Sequence, residues 1–429
     1  MITSLRSRVS RTLGRGVQTA MRLRGGGSAL PGLIVERIDP TFLARALSTV
    51  PKGVVVITGT NGKTTTTKMV VQLLRAHGLT VFTNPSGSNF TRGIVASLLD
   101  HVDEHGHLKA DVAVLELDEA HAVHFVRQAP PRFVLVLNVL RDQLDRFGEI
   151  DHTARLLSKV VAATTDGVVL NREDSLVRKL APTGSKVEVR YFGLSRDLQA
   201  KFPSDAELHG GHTSTAKNPA IHPGDVTLET VKGRDATFSF GKAIQSPISL
   251  QLDGVYNVLN AAGALALARM ITGASAAESK RLLHELSEVK PAFGRGETVA
   301  IDGRPCEIVL VKNPSGFRLA LSSYADQPAA TMIAINDNYA DGRDMSWLWD
   351  VDFASLKGVD TVSGLRAYDM ALRLQYDEVD VSHVEPRLVP ALTRFIHQTS
   401  GRRRIYCTYT AMLTLRRELG RHYHLEAIK

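Results

Sequence analysis

Residues 58–67, TGTNGKTTTT, hold the side chains and the spacing of a polyphosphate cradle. Gly59 and Gly62 let the backbone turn so that its N–H groups point at phosphate oxygens. Thr60, Asn61 and Thr65 complete the cradle around them. Lys63 supplies a mobile positive charge for the β- and γ-phosphates, and the Thr64 hydroxyl suits a Mg²⁺ ion. The general pattern would put its first glycine at Ile57, so this loop is a variant. Other candidates carry less information. Asp341, Asp344, Asp350 and Asp352 cluster in ADGRDMSWLWDVDF, where any of them could equally be a helix N-cap. His209, His212 and His222 lie in a Gly/Pro-rich stretch, which reads as a solvated loop more readily than as a metal site.

A phosphate loop works only between a strand and a helix. The apolar run at residues 54–57 predicts the strand, and helical spacing of Met69, Val70, Leu73 and Leu74 predicts a helix over residues 66–77. Residues 111–117 (DVAVLEL) and 132–137 (RFVLVL) read as strands buried on both faces of a parallel sheet. Helical stretches between them imply a doubly wound α/β domain. Residues 197–250 read as an irregular insertion followed by a small antiparallel element. A helical pattern returns at residues 257–270, and a second α/β unit starts at EIVLV, residues 307–311. The expected division is a basic segment at 1–50, a central nucleotide-binding domain at 51–296 and a smaller α/β domain at 297–429.

The chain has 429 residues and a formal net charge of +8. No apolar run reaches the roughly 18 residues of a membrane-spanning helix. Its two cysteines, Cys306 and Cys407, are too few for a disulfide framework or a four-cysteine zinc site, and read as buried thiols. Arg6, Arg8, Arg11, Arg15, Arg22 and Arg24 crowd the first 30 residues without one acid. That segment reads as a surface-packed basic helix or as one drawn to an anionic membrane face. It lacks the features of a nucleic-acid module, and no nucleic-acid partner is expected.

The loop Thr-Gly-Thr-Asn-Gly-Lys-Thr resembles that of the Mur ligase and folylpolyglutamate synthetase superfamily. The resemblance implies a Mur ligase-like central ATP-binding domain with a parallel sheet, followed by a smaller C-terminal domain. It implies that Glu116, in LELDEAH, joins Thr64 in holding Mg²⁺. It implies that Asn257 and Asn260, in YNVLN, approach the adenine and that Arg295, in FGRGE, reaches the ATP phosphates. NVLRDQLD at 138–145 resembles a superfamily segment whose histidine is here Gln143, which puts a second metal in doubt. LNRED at 170–174 resembles the family's Asn-x-x-Asp turn, while Lys159 falls off the position of the modified lysine.

Within the superfamily, the chain from about residue 30 to 415 resembles the MurT family, the synthetase subunits of lipid II isoglutaminyl synthases. The carriers are KNPSG at 312–316, Asn336-Asp337-Asn338, ADGRDMSWLWDVDF at 340–353 and SGLR at 363–366. The resemblance implies ATP-dependent amidation of the D-glutamate α-carboxylate of lipid II, through an acyl phosphate, in peptidoglycan and cell wall synthesis. Ammonia would come from a GatD-type glutaminase partner, whose catalytic histidine Asp344 would orient. Trp347 and Trp349 are the only tryptophans, either interface anchors or core. Many family members carry a four-cysteine zinc ribbon; this chain has no cysteine in that stretch, and no structural zinc is expected. The catalytic set is then Lys63, Glu116 and Asp344, and the setting is the cytoplasm, at the inner membrane face. Two alternatives remain: a superfamily ligase adding an amino acid, and a nucleotide-binding scaffold without chemistry. If the basic start binds membrane, removing residues 2–24 weakens binding to anionic vesicles in a salt-dependent manner; unchanged binding would count against it.

Overall fold

The computed structural model describes residues 12, 14–17, 19, 30–84, 90–140, 150–199, 219–251, 255–290, 295–325, 327–423 and 425. The sequence calls on Gln143, His209, His212 and most of the N-terminal arginines lie outside them. The chain forms two compact units. One comprises Met1–Val139, Ile150–Leu250 and Asn257–Val289; the other comprises Leu140–Glu149, Gln251–Tyr256 and Lys290–Lys429.

The first unit opens with helices α1 (Leu30–Ile38) and α2 (Phe42–Ser48). Strands and helices then alternate: β1 (Val54–Thr58), α3 (Lys63–Ala76), β2 (Val81–Thr83), α4 (Thr91–His101), β3 (Val112–Glu116), α5 (Glu119–Gln128), β4 (Phe133–Val136), α6 (Ile150–Ala162) and β5 (Gly167–Asn171). After the short helix α7 (Ser175–Arg178) come β6 (Glu188–Leu194), the short α8 (Arg196–Gln199), β7 (Val226–Lys232), β8 (Asp235–Phe240), β9 (Ala243–Ile244) and β10 (Ile248–Ser249). Helix α9 (Val255–Thr272), from Asn257 onward, and α10 (Ala276–Ser287) close it.

These strands make one ten-stranded sheet of order β10-β8-β7-β6-β5-β4-β1-β3-β2, with β9 on β8. Every residue of β1, β3, β4 and β5 is buried, as expected where helices cover both faces of parallel strands. The antiparallel element read from the sequence is the β7–β8 hairpin. Its first strand pairs in parallel with β6, from Phe192↔Val226 to Leu194↔Leu228, so the hairpin extends the main sheet. That pairing covers the backbone edge that β6 would otherwise present.

The second unit holds β11 (Arg295–Ile301), β12 (Arg304–Leu310), α11 (Pro314–Ser323), β13 (Ala330–Ala334), a 3₁₀ turn (Ser346–Asp350), β14 (Thr361–Ser363), α12 (Ala367–Tyr376), β15 (Val384–Glu385), α13 (Leu388–Gln398), β16 (Arg403–Cys407) and α14 (Tyr409–Leu419). Its sheet runs β11-β12-β16-β13-β14-β15, parallel except for β11. Asn313 caps α11 by accepting from Gly316 N at 2.7 Å, and Pro314 follows where its missing N–H costs nothing. Phe317 packs on Trp347, Phe353 and Tyr406 in the core. One of the two tryptophans is therefore core, while Trp349 stays half exposed.

The four clustered aspartates separate cleanly. Asp341 is buried and accepts from Asn338 N at 3.1 Å, Thr410 N at 2.7 Å and the Thr410 hydroxyl at 2.5 Å. It ties the loop after β13 to the start of α14. Asp350 and Asp352 are exposed. Asp341→Ala would strand these donors, and removing one buried partner costs about 1–3 kcal/mol. The denaturant midpoint should therefore fall well below that of Asp350→Ala; equal midpoints would contradict the assignment.

Candidate functional site

The phosphate loop lies between β1 and α3, at the C-terminal end of the parallel strands, where doubly wound sheets place their ligands. Gly59 has φ +125° and Gly62 φ +89°, conformations that side chains resist. Space excludes a side chain as well: a Cβ on Gly59 would stand 2.9 Å from Asn138 N and O. On Gly62 it would collide with the carboxamide nitrogen of Asn260. Asn260, 4% exposed, thus packs directly on the loop.

Lys63 opens α3 and is buried. Its ammonium donates to Gly59 O at 2.6 Å and Thr60 O at 3.3 Å, and pairs with Glu119 Oε1 at 3.1 Å. Glu119, 2% exposed, stands in the first turn of α5, whose N-cap is Asp118. Sequence reasoning missed this partner, although its signal was visible as the second glutamate of LELDEAH, three residues beyond Glu116. The Thr64 hydroxyl donates to Glu116 Oε1 at 3.0 Å, joining the two residues expected to share a metal. Glu116 ends β3, and Asn84 locks its backbone with a pair of hydrogen bonds of 3.0 and 3.1 Å. Thr65 turns inward and is 1% exposed.

A second brace supports the loop from β4. Asn138 Oδ1 accepts from Asn61 N at 2.8 Å, its Nδ2 donates to Asn61 O at 3.0 Å, and its carbonyl accepts from Thr60 N at 3.1 Å. The Asn-x-x-Asp turn fixes Asn138 in turn. Asn171 Nδ2 donates to Leu137 O at 2.8 Å, and Asp174 Oδ2 accepts from Val139 N at 2.7 Å while its other oxygen caps α7. Asn257 is half buried in the first turn of α9, and Lys159 is exposed on α6.

The donor set fits its ligands. The glycine-bent loop and the N-terminus of α3 suit phosphates. A hydroxyl and a carboxylate, both oxygen donors, suit a hard cation such as Mg²⁺. No group of three His, Cys, Asp or Glu side chains placed to hold a metal occurs among the described residues, and His222 is exposed.

Two predicted residues belong to the second unit. Arg295 begins β11, opposite Val309. Asp344 is half buried and accepts from Ser346 N at 2.9 Å, at the start of the 3₁₀ turn. Hydrogen bonds from Ser346 hold its carboxyl below the usual range, so it is ionised at neutral pH. Neither cysteine is exposed: burial pushes Cys306 up to about 12 and Cys407 higher, so neither supplies a thiolate.

Residues 57–268 match the Mur ligase middle domain family. In fold the chain is similar to MurF of Thermotoga maritima solved with ADP, with a TM-score of 0.68 and 18% identity over 89% of this chain and 82% of that one. It is likewise similar to the folylpolyglutamate synthase of Mycobacterium tuberculosis, with a TM-score of 0.60 and 15% identity over 90% and 97% of the two chains. Fold and loop together define a Mur ligase. Residues 310–412 narrow this further by matching the MurT ligase C-terminal family. Over 97% of its length the chain is 30% identical to the MurT subunit of the glutamine-hydrolysing lipid II isoglutaminyl synthase of Streptococcus pneumoniae, covering 98% of that protein. The chain belongs to the MurT family.

If the Lys63–Glu119 pair holds the loop, the two side chains are energetically coupled. Lys63→Met, Glu119→Gln and the double variant should show a coupling of about 0.5–3 kcal/mol in thermal unfolding. Additive effects would contradict the pairing.

Proposed function

We propose that this chain is the synthetase subunit of a lipid II-amidating enzyme, converting the D-glutamate α-carboxylate of the stem peptide to an amide in peptidoglycan synthesis. One observation carries the chemistry: beside Lys63 at the start of α3, the Thr64 hydroxyl bonds Glu116 at the end of β3, in a chain that matches MurT along nearly its whole length. In the reaction, a carboxylate oxygen attacks the γ-phosphorus of ATP and ADP leaves. Ammonia then adds to the acyl carbon, and phosphate departs with that carboxylate oxygen.

Thr64 and Glu116 would hold Mg²⁺, which supplies charge neutralisation at the phosphates. Lys63 orients the transferring phosphoryl group by charge, the N-terminus of α3 favours the oxygens around it, and Arg295 is the further phosphate contact. Asn257 and Asn260 contact the base. The nitrogen is read as coming from glutamine through a separate glutaminase of the GatD type, with Asp344 reaching that partner's catalytic histidine. A carboxylate there would fix the imidazole tautomer and stabilise the imidazolium. The low pKa of Asp344 keeps it charged for this role at neutral pH.

Among the described residues no helix is long and apolar enough to cross a membrane. Lipid II is membrane-bound, so we assign the basic N-terminal segment to the cytoplasmic membrane face. Arg15 is already engaged with Leu99 O at 2.9 Å and Asp100 O at 3.3 Å, which leaves the role to its neighbours.

Amidation of lipid II tests the reading, with ammonium alone or with glutamine plus the glutaminase. Lys63→Ala should lower both rates by at least about 100-fold, as for loss of a charge that stabilises the transition state. Asp344→Asn should spare the ammonium-driven rate and depress the glutamine-driven one. Product formed only with an amino acid as nitrogen donor would refute the proposal.

A further inference from the structure

The ammonium of Lys63 carries three N–H donors, and the protein already offers an acceptor for each. Gly59 O lies at 2.6 Å, Thr60 O at 3.3 Å and Glu119 Oε1 at 3.1 Å. Two of these acceptors are carbonyls of the loop that Lys63 itself serves. The third is a carboxylate from a different element, and it alone carries a full charge. It is also the fixed member of the pair. Glu119 is 2% exposed in the first turn of α5, a helix anchored in the core by Ala122, Phe125 and Val126. Asp118 caps that helix by accepting from Ala120 N at 3.3 Å, and a helix N-terminus favours a carboxylate where Glu119 stands. Lysine has a flexible four-carbon stem, so the ammonium is the partner able to move.

Two courses are open to a phosphate that draws on this lysine, and both work against Glu119. If the ion pair stays, a phosphate oxygen accepting from the same ammonium at an ordinary bond length lies no more than about 6 Å from Glu119 Oε1. Like charges repel at that range. If the ammonium swings to the phosphate instead, Glu119 stays buried and loses its cation, which is costly. In either geometry the carboxylate weakens the loop's hold on phosphate. The shape of the loop does not rest on that charge alone, because Asn138 braces the backbone of Thr60 and Asn61. A ligase that consumes ATP must also let ADP go after each cycle, and product release limits many turnover rates.

We infer that Glu119 is a positioning residue that acts through Lys63 to loosen the loop's grip on adenine nucleotide, and so speeds the departure of ADP. The inference rests on the reading of this loop as the ATP site. The charge is the operative feature: a glutamine at this position could accept the same hydrogen bond without opposing the phosphates.

Calorimetric binding of MgADP to the full-length chain tests this through its sign. Glu119→Gln keeps the side chain's shape and should lower the Kd for MgADP at least about tenfold. The ADP dissociation rate should fall with it. The KM for ATP in ammonium-driven amidation should fall too, with no rise in kcat. Glu119→Asp keeps the charge and should stay within about threefold of the wild-type Kd. In a Lys63→Met background, Glu119→Gln should shift the Kd by less than about twofold, because the carboxylate acts through the ammonium. Circular dichroism verifies the fold, and Glu119→Ser takes the place of the glutamine variant should that one not fold. A residue that only props the loop gives the opposite sign, so an unchanged or raised Kd in the folded variant would overturn the inference. So would a tightening that persists undiminished without Lys63. A wild-type chain that binds neither MgADP nor MgATP would remove the ATP reading itself and the inference with it, an outcome seen without any variant.

Discussion

A lysine ammonium buried at the end of a parallel strand has to be matched by oxygen, and here Glu119 and the carbonyls of Gly59 and Thr60 provide it. An unpaired charge at that depth would be strongly destabilising. The requirement fixes much else. It sets where α5 must start, because Glu119 lies in its first turn, and it holds the loop curved toward its own lysine. It also implies a cost of use. A lysine shared with a carboxylate draws phosphate less strongly than a solitary one, so nucleotide binding must compete with Glu119 for the same charge.

Around that pair the site is built as nested supports. Asn138 grips the loop backbone, and Asn171 and Asp174 grip the backbone on either side of Asn138. Asn84 does the same for the strand end that bears Glu116. The residues expected to touch ATP therefore stand on short, buried polar contacts between adjacent strand ends. That is the kind of support which keeps reacting groups in position.

Much of this was legible in the sequence. Runs such as VVVI, DVAVLEL and RFVLVL announce buried parallel strands, and the glycine-rich loop ending in Lys-Thr announces its ligand, because local residue type dictates both. What depends on tertiary contact was not legible. The pairing of Glu119 with Lys63 exists only once β1 and β3 lie side by side. The β7–β8 hairpin read as a small antiparallel element, and its parallel join to β6 is what the sequence does not show. Asp341 and Asp344 share a motif, yet one is buried and the other half buried, since Asp341 meets Thr410 from 69 residues away. Trp347 and Trp349 divide likewise between core and surface.

The central claim is that this chain activates a carboxylate by phosphorylating it. Lipid II carrying oxygen-18 in the D-glutamate α-carboxylate, incubated with the chain, ATP, Mg²⁺ and ammonium, tests this most directly. Acyl phosphate chemistry requires one labelled oxygen to appear in the inorganic phosphate for each amide formed. Amide formed with unlabelled phosphate would contradict the account.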